Sequence, residues 1–435
     1  MVNRIIGSVL VTLMISARAL CVDQVVILSP HRISIQQDII PAFKAHYLKT
    51  YKKPVSVEWL DQGGAAEALR YILSRFEKNP KSAKIDILWG GGEQPSLELK
   101  KLKLLQSYFI SKELRQQVPA AVGPIAMYDA EETWHAVNLS SFGIFYNKKL
   151  IKILRMTEPT QWEDLGNLRF FDLLSNADPR RSSSHLTIYT VILQVLGWEK
   201  GWDLLTRIAA NTQKFAHSSS APVKAIVSGE AVAALSVDYF ALAKVGDLGP
   251  ANLGFILPES QTIVNADPIA MLKGAPHPVV AGRFIEFLMG VEAQKLFLLP
   301  KGAKNGPHFS TLGRLSVNKT AYEETEGQRV FSLNPFRLQI PPFVLDRDQA
   351  TKMQFVISDL IGAVLVDSHG ELKSTVRFLR DRKRIEEFHK IVFPISEKDV
   401  HKLAERWSDQ SFRNQTINKW LESSRKLYKA VRTVK

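Results

Sequence analysis

Short apolar runs alternate with amphipathic stretches over the first hundred residues of the chain. The runs are QVVIL, VSVEW and IDILW, and each is followed by a turn and then by apolar residues at helical spacing, such as Ile39 and Phe43. Alternation of apolar and polar residues, as at Val55, Val57 and Trp59, indicates a strand with one buried face. Three strand–turn–helix units in succession therefore predict a parallel, doubly wound α/β sheet.

A second α/β series follows a long strand-like run, TWHAVNLSSFGIFYNKKLI. This run is longer than one lobe needs, so we interpret it as a connector that leaves the first lobe. Further helical and strand patterns follow, with a helix expected from about Ser184 and a return strand in the apolar runs after Leu253. The chain from about residue 331 onward is mostly helical in pattern. We therefore expect two doubly wound α/β lobes with an extra, mostly helical C-terminal extension.

Length and composition agree with a folded protein of more than one lobe. The chain has 435 residues, of which 45% are hydrophobic and 23% charged, and it is longer than single cores usually grow. More than half of the net charge of +14 lies in residues 371–435, which hold 17 Lys/Arg and 9 Asp/Glu, an excess of +8. Acidic residues are interspersed there, so we interpret the extension as a solvated basic surface and expect no nucleic-acid partner.

The N-terminus has the pattern of an export signal. Arg4 precedes an apolar run over residues 5–15, and Ala17 and Ala19 form a small-x-small cleavage pattern. The run is too short to span a bilayer, so we predict a signal peptide over residues 1–19 and a periplasmic protein. A lipid anchor at Cys21 is the less favoured alternative, because Leu20 stands where a small residue is wanted.

Cys21 is the only cysteine of the chain. A disulfide framework is therefore excluded, and a thiolate metal site is not expected.

The carboxyl ends of the first-lobe strands are the first candidate site. Open α/β sheets bind ligands where each strand enters the following helix. The residues at these positions are His31, Gly63, Gly64, Trp89, Gly90 and Gly91.

A serine-rich stretch at the predicted start of a second-lobe helix is the strongest candidate. Ser182, Ser183 and Ser184 follow Arg180 and Arg181. A serine can cap orphan backbone N–H groups, and those groups, with the helix dipole, also bind phosphate or carboxylate. A guanidinium adds paired hydrogen bonds to such an anion. A plain N-cap with solvated arginines is the alternative.

Two more second-lobe stretches have similar positions. Ser218 and Ser219 stand before another helix, where a cap is again the alternative, and Asp238 and Tyr239 end the apolar run AVAALSV. A strand tip would present these side chains to a cleft.

Motifs of catalysis are missing from the sequence. It contains no G-x-x-x-x-G-K-[ST], no G-x-S-x-G and no H-E-x-x-H, and WGGG is not the dinucleotide fingerprint. Serines, His31 and Asp238 could be drawn as a triad, but nothing in the sequence fixes their geometry. We expect a binding protein rather than an enzyme, with no cofactor.

Eight segments in order carry a resemblance to a known family. They are IDILWGGG, FGIFYNKKLI, PTQWEDL, NADPRRSSSH, LGWEKGWDLLTRIAANTQKF, VSGEAVAALSVDYFA, VNADPIAML and FIEFLMGVEAQKL. Over about residues 24–312 the chain resembles the bacterial extracellular solute-binding proteins of ABC importers, in the ferric-ion and phosphosugar group with the type II periplasmic-binding fold.

The resemblance implies two lobes joined by two hinge crossings that close on a ligand. It places lobe one at 24–135 plus 266–330, lobe two at 136–265 and the extension at 331–435. The first crossing is expected in WHAVNLSSFGIFYN and the return near residues 263–268. The implied partners are a small ligand and an ABC permease in the inner membrane, and we expect a monomer.

The resemblance also bears on the ligand. Ferric-binding members use a histidine after the first strand, an acidic residue, two adjacent tyrosines and an anion at a serine-rich helix start. His31 and the serines from Ser182 match this pattern, but Tyr239 is followed by Phe240, and neither Glu67 nor Glu93 sits in a matching motif. We therefore expect a phosphorylated sugar or a similar phosphate or carboxylate and no metal. An iron carrier using His31 and Tyr239, and a ligand sensor for a two-component system, are the alternatives.

Overall fold

The computed structural model describes residues 22–337 and 343–433. The predicted signal peptide and Cys21 lie outside these residues. No helix within the described ranges is long and apolar enough to span a membrane.

The strands are β1 (Asp23–Leu28), β2 (Val55–Leu60), β3 (Ile87–Trp89), β4 (Leu105–Gln106), β5 (Ala121–Val122), β6 (Ile125–Ala126), β7 (His135–Asn147), β8 (Leu174–Ala177), β9 (Thr212–Ala216), β10 (Ala233–Val237), β11 (Leu253–Ile256), β12 (Val264–Leu272) and β13 (Leu315–Ser316).

The α-helices are α1 (Ile33–Tyr51), α2 (Ala65–Lys78), α3 (Glu93–Lys101), α4 (Lys112–Gln117), α5 (Lys148–Ile153), α6 (Ser183–Leu196), α7 (Trp198–Asn211), α8 (Ala221–Ser228), α9 (Asp238–Leu248), α10 (Pro278–Met289), α11 (Val291–Leu298), α12 (Lys319–Glu324), α13 (Arg347–Ile361), α14 (His369–Asp381), α15 (Glu397–Ala404) and α16 (Gln410–Thr433). Short 3₁₀ helices span Trp162–Gly166, Leu168–Phe170, Pro335–Arg337 and Ile385–Ile391, and a π-helix spans Gly362–Val366.

The first lobe is built on a sheet with β1 next to its edge. β1 pairs in parallel with β2 and β3, and the order continues through β12, which is antiparallel to β3, to β7. The last four residues of β1 are buried, as expected for a strand covered by helices on both faces. The predicted strand–helix units of this lobe are therefore confirmed.

The second lobe uses the other half of the same long strand. β7 has 13 residues, and its C-terminal half pairs with β10 and β11, both antiparallel to it. β10 and β9 each pair in parallel with β8. One strand thus belongs to both sheets.

The chain crosses between the lobes at β7 and again at β12. Val264 of β12 pairs with Ser141 of β7, and the pairing continues to Ile269 and His135. The predicted fold class, two α/β lobes joined by two crossings and followed by a helical extension, is confirmed. The numerical boundaries of the lobes stay a prediction.

The C-terminal extension packs into the core of the second lobe. Leu360 and Val364 are fully buried and share one apolar cluster with second-lobe residues such as Ile192. The indole Nε1 atoms of Trp198 and Trp202 on α7 donate to backbone carbonyls of the extension at 2.8 and 2.9 Å. Residues 343–433 therefore complete this core, which the helical pattern alone did not reveal.

The extension also reaches the first lobe. Arg347, the first residue of α13, pairs with Glu93 at the start of α3. Its second guanidinium nitrogen lies 3.4 Å from the side-chain oxygen of Asn265 on β12.

Replacement of Leu360 by alanine should destabilise the protein by about 2–5 kcal/mol, because it removes apolar atoms from the shared core and leaves a cavity. The matched control is Phe355→Ala on the same helix, since Phe355 is 61% exposed and Leu360 is fully buried. Urea denaturation measures both free energies of unfolding, and equal values for the two variants would contradict the shared core.

Candidate functional site

The carboxyl edges of the two sheets meet along the middle of β7. On the first-lobe side, Asn138 of β7 lies opposite Asp267 of β12, next to the end of β3, where the amide of Gly90 donates to the carbonyl of Pro268 at 2.8 Å. On the second-lobe side, Phe142 lies opposite Val237, the last residue of β10. Four residue steps along a strand are about 13 Å, so the two edges lie close together, and the space between them is the expected ligand cleft.

His31 is buried at the first-lobe edge of this cleft. Its Nδ1 lies 2.9 Å from Ser29 Oγ, and its Nε2 lies 3.0 Å from Asp267 Oδ2. Both ring nitrogens thus form hydrogen bonds within the protein. The histidine that the sequence predicts as a ligand-binding residue is the partner of a buried carboxylate.

The charges around His31 are coupled. Burial lowers the pKa of His31, and the nearby Arg314 lowers it further. Burial alone would raise the pKa of Asp267, but His31 and Arg314 hold that pKa below its ordinary range. Asp267 is therefore ionised at neutral pH.

The glycine turn after β3 allows the histidine to sit there. A Cβ on Gly90 would lie 2.2 Å from the imidazole of His31, and Gly90 has φ +86°, a conformation that favours glycine. Trp89 was predicted to line the cleft, but it is fully buried, and its ring packs edge-on at 4.7 Å from that of His31. Trp89 thus supports His31 from the core.

The other first-lobe glycines lie at the start of α2 and beside it. Gly63 and Gly64 are exposed, and the amide of Gly63 donates to Asp61 Oδ1 at 2.8 Å. A Cβ on Gly91 would lie 2.9 Å from that of Ala65, so this turn packs closely against α2.

Sequence reasoning missed Asp267 and Arg32 as residues of the site, and it missed Arg314. Arg314 is 4% exposed, and its Nη1 donates to Asp267 Oδ2 at 2.6 Å. It precedes β13 in a segment without a recognisable motif, so only the fold brings it to His31.

Two first-lobe arginines lie against the aromatic pair of the second lobe. The Cζ of Arg314 is 4.5 Å from the ring centre of Tyr239. The Cζ of Arg32 is 5.9 Å from that ring and 5.1 Å from the ring centre of Phe240. Cation–π attraction acts at these distances, so the two lobes touch here through arginine and aromatic side chains.

The sequence predicts that Asp238 presents its carboxylate to the cleft. In the structure Asp238 is fully buried, so its carboxylate does not face the cleft. Its Oδ2 accepts from the amide and the hydroxyl of Ser141 at 2.8 and 2.9 Å, and its Oδ1 accepts from the amide of Tyr239 at 2.6 Å. Burial raises the pKa of Asp238 to about 7, although these hydrogen bonds oppose the shift. Asp238 ties the start of α9 to the shared strand β7.

Ser182 joins the two serine-rich stretches. It caps α6, because its Oγ accepts from the amide of His185 at 3.2 Å, and the same Oγ lies 2.7 Å from Ser219 Oγ. The cap interpretation is thus correct for Ser182, and the contact with Ser219 goes beyond it.

The remaining serines have no capping role. Ser183 and Ser184 are the first two residues of α6, and Ser183 is exposed. Ser218 is exposed, and Ser220 at the start of α8 forms no side-chain cap.

The two arginines before these serines differ. Arg180 was predicted as an arm for an anion, but its guanidinium is held by Asp178 and Asp367, each at 2.7 Å. These carboxylates raise the pKa of Arg180. Arg181 is exposed and forms no side-chain hydrogen bond or ion pair with any described residue.

The serine group and the His31 group remain separate. Within the described residues, no hydrogen bond joins Ser182, Ser183 or Ser219 to the residues around His31. Nor do three or more His, Cys, Asp or Glu side chains gather there in a group that could hold a metal ion.

Comparison with known proteins adds to this geometry. The family model for bacterial extracellular solute-binding protein matches residues 94–302, which include β7, the serine-rich start of α6 and Asp267. Residues 94–302 belong to the bacterial extracellular solute-binding proteins.

Curated relatives match a similar share of the chain. The phosphoglycerate transport regulatory protein PgtC of Salmonella typhimurium is 28% identical over 184 residues, which are 42% of this chain and 45% of that protein. The protein of the same name from Salmonella typhi matches equally. The chain thus spans less than half of the length of these relatives.

Solved structures share the fold of this chain at low sequence identity. The periplasmic binding protein AfuA from Actinobacillus pleuropneumoniae with bound fructose-6-phosphate is 19% identical, with a TM-score of 0.58 over 79% of this chain and 98% of AfuA. Iron-bound HitA from Pseudomonas aeruginosa is 18% identical, with a TM-score of 0.56 over 78% of this chain and 99% of HitA.

The free energy of unfolding should decrease less with rising pH after replacement of Asp238 by asparagine than in the wild type. The folded pKa of about 7 lies above the ordinary value of 3.8, so the folded state favours the protonated carboxyl. The contribution of Asp238 to the free energy of unfolding is complete below about pH 4 and is lost as the pH rises through 7. The free energy falls by up to about 1.4 kcal/mol per pH unit over this range.

Urea denaturation at pH 5 and pH 8 measures this difference for the wild type and for Asp238→Asn. The buried His31 and His185 have lowered pKa values and lose stability on acidification, but they do so equally in both proteins. Equal pH dependence of the two proteins would contradict the buried, proton-binding state of Asp238.

Proposed function

We propose that the chain is the periplasmic solute-binding component of an ABC importer and that it captures a small anionic solute. The solute is a phosphorylated sugar or a similar phosphate or carboxylate, held between the lobes by hinge closure. The protein works without turnover, as a monomer that delivers its ligand to a membrane permease and binds no nucleic acid.

The observation that carries this proposal is the positive charge at both edges of the cleft. Arg32 on the first-lobe edge and Arg181 on the second-lobe edge have no carboxylate within ion-pair distance among the described residues. A guanidinium without an acidic partner favours an anion that lies between the two edges.

The start of α6 supplies the matching donors. Ser182 uses its hydroxyl as a cap and as a partner of Ser219, while Ser183 faces solvent at the first helical position. The free backbone N–H groups of the first turn and the positive end of the helix dipole favour phosphate or carboxylate there.

The surroundings of Tyr239 argue against a ferric ion. Tyr239 is followed by Phe240, which offers no oxygen ligand, and Arg32 and Arg314 lie over these two rings. The charge of Arg314 is paired with Asp267, but Arg32 has no carboxylate partner among the described residues, so its charge repels a trivalent cation and attracts an anion.

A ligand sensor for a two-component system is the second candidate. It is supported by the likeness to the phosphoglycerate transport regulatory protein, whose name indicates regulation. Both candidates need the same anion-binding cleft, so the test of the cleft serves both. Deletion of the gene separates them, because an importer is needed for uptake and a sensor for induction of a separate uptake system.

A thermal-shift screen with 3-phosphoglycerate, fructose 6-phosphate and Fe(III) citrate should show stabilisation by a phosphate compound. A ligand at a hundred times its dissociation constant stabilises the folded state by about 2.7 kcal/mol. Stabilisation by iron alone would contradict the proposal.

The combined change Ser182→Ala, Ser183→Ala and Arg181→Gln should abolish the phosphate-dependent shift, measured against the ligand-free variant because loss of the cap itself costs about 1 kcal/mol. The control is Arg169→Gln, which removes an exposed charge of the same lobe. An undiminished shift in the triple variant would rule out the helix start as the anion site.

A further inference from the structure

We infer that the C-terminal extension positions the anion-binding loop of the cleft: Asp367 fixes Arg180, and Arg180 fixes the turn of residues 178–182 that leads into α6. The inference rests on the proposed function, because it assigns a role to the extension in that same cleft. Asp367 and Arg180 are positioning residues and contact no ligand.

The guanidinium of Arg180 is clamped from two sides. Its Nε and Nη2 donate to the carboxylate of Asp178 at 2.7–3.1 Å, and its Nη1 and Nη2 donate to the two oxygens of Asp367 at 2.8 and 2.7 Å. Paired hydrogen bonds of this kind fix the plane of a guanidinium as well as its position. The clamp thus joins the loop before α6 to the extension.

Asp178 passes this constraint to the backbone of the turn. Its carbonyl accepts from the amides of Arg181 and Ser182 at 3.0 Å, and its carboxylate accepts from the amide of Arg180 at 2.9 Å. Ser182 is the cap of α6. The orientation of the first helical turn therefore depends on the geometry around Asp178.

Asp367 is itself held rigidly within the extension. It follows the π-helix Gly362–Val366, and its amide donates to the carbonyl of Gly362 at 2.8 Å. Arg425 of α16 donates to the carbonyl of Asp367 at 2.9 Å. A π-helical turn is rare and is often found at functional sites.

Gly362 makes room for Arg180. A Cβ at this position would lie 2.5–2.7 Å from the Nε, Cδ and Cζ atoms of Arg180. Gly362 has helical φ and ψ of −53° and −55°, which alanine adopts readily, so the close contacts of an added Cβ come from the Arg180 side chain. The Arg180 side chain of the loop thus occupies the space that a side chain at position 362 of the extension would need.

The extension contributes position here and not positive charge. Asp178 and Asp367 together outweigh the single charge of Arg180, so removal of one carboxylate makes the loop more positive. If Asp367 acted only through its charge, its neutralisation would strengthen anion binding. If Asp367 acts by positioning Arg180, neutralisation of Asp367 weakens anion binding. The two roles therefore predict opposite changes of anion affinity.

The first experiment compares Asp367→Asn with Asp381→Asn in the full-length protein. Asp381 lies on α14, and among the described residues it pairs only with its exposed neighbour Arg380, so the control removes the same charge from the same extension. We expect Asp367→Asn to weaken binding of 3-phosphoglycerate or fructose 6-phosphate, measured by calorimetry, about tenfold, and Asp381→Asn to leave it within about twofold. Equal or tighter binding by Asp367→Asn would overturn the inference.

A second measurement needs no ligand and separates this inference from the proposed function. We expect Asp367→Asn to speed hydrogen exchange at the amides of Arg181 and Ser182 about tenfold relative to Asp381→Asn. Unchanged exchange would overturn the inference even if phosphate binds. Absence of binding by the wild type would refute the proposed function and with it the role in ligand capture, while the exchange still decides whether Asp367 holds the turn.

The pair Gly362→Ala and Gly370→Ala tests the contact by shape instead of charge. A Cβ on Gly370 meets nothing within 4 Å, and both positions lie in helical parts of the extension. We expect Gly362→Ala alone to lower phosphate affinity and to speed exchange at Arg181 and Ser182. Identical behaviour of the two alanine variants would overturn the inference.

Discussion

The shared strand β7 is the constraint on which the rest of the structure depends. Its first half is hydrogen-bonded to β12 and β13 in one sheet, and its second half to β10 and β11 in the other. Both lobes therefore point the carboxyl ends of their parallel strands at the same short segment, Asn138 to Phe142. His31, Asp238 and Asp267 lie at or beside those strand ends.

The buried carboxylates near this segment have hydrogen-bond or ion-pair partners, whereas two arginines beside it have no acidic partner among the described residues. Asp267 is paired with the charge of Arg314 and hydrogen-bonded to His31, and Asp238 is buried among hydrogen-bond donors with a pKa of about 7. Arg32 and Arg181 are left over on opposite edges. Buried carboxylates thus hold the framework together, and exposed guanidinium groups remain for the proposed ligand.

The extension changes how the second lobe should be described. Its helices fill the core under α6 and α7, and its Asp367 reaches the loop that carries the proposed anion site. Arg347 also links it to Glu93 on the other lobe. The extension is thereby a structural part of the binding lobe, and its basic character belongs to the solvent-facing side.

The sequence by itself determined the fold class and where the strand ends fall, because apolar periodicity and glycine turns are local signals. It also indicated a serine cap at the start of α6, since helix starts obey short-range rules, and the structure assigns that cap to Ser182. Only the tertiary structure decided that His31 is hydrogen-bonded to Asp267, that Arg314 pairs with the same carboxylate and that Arg180 pairs with Asp367. Each of these pairs is distant along the chain or depends on burial, and a linear pattern carries no information about which charged side chains will share a low-dielectric interior.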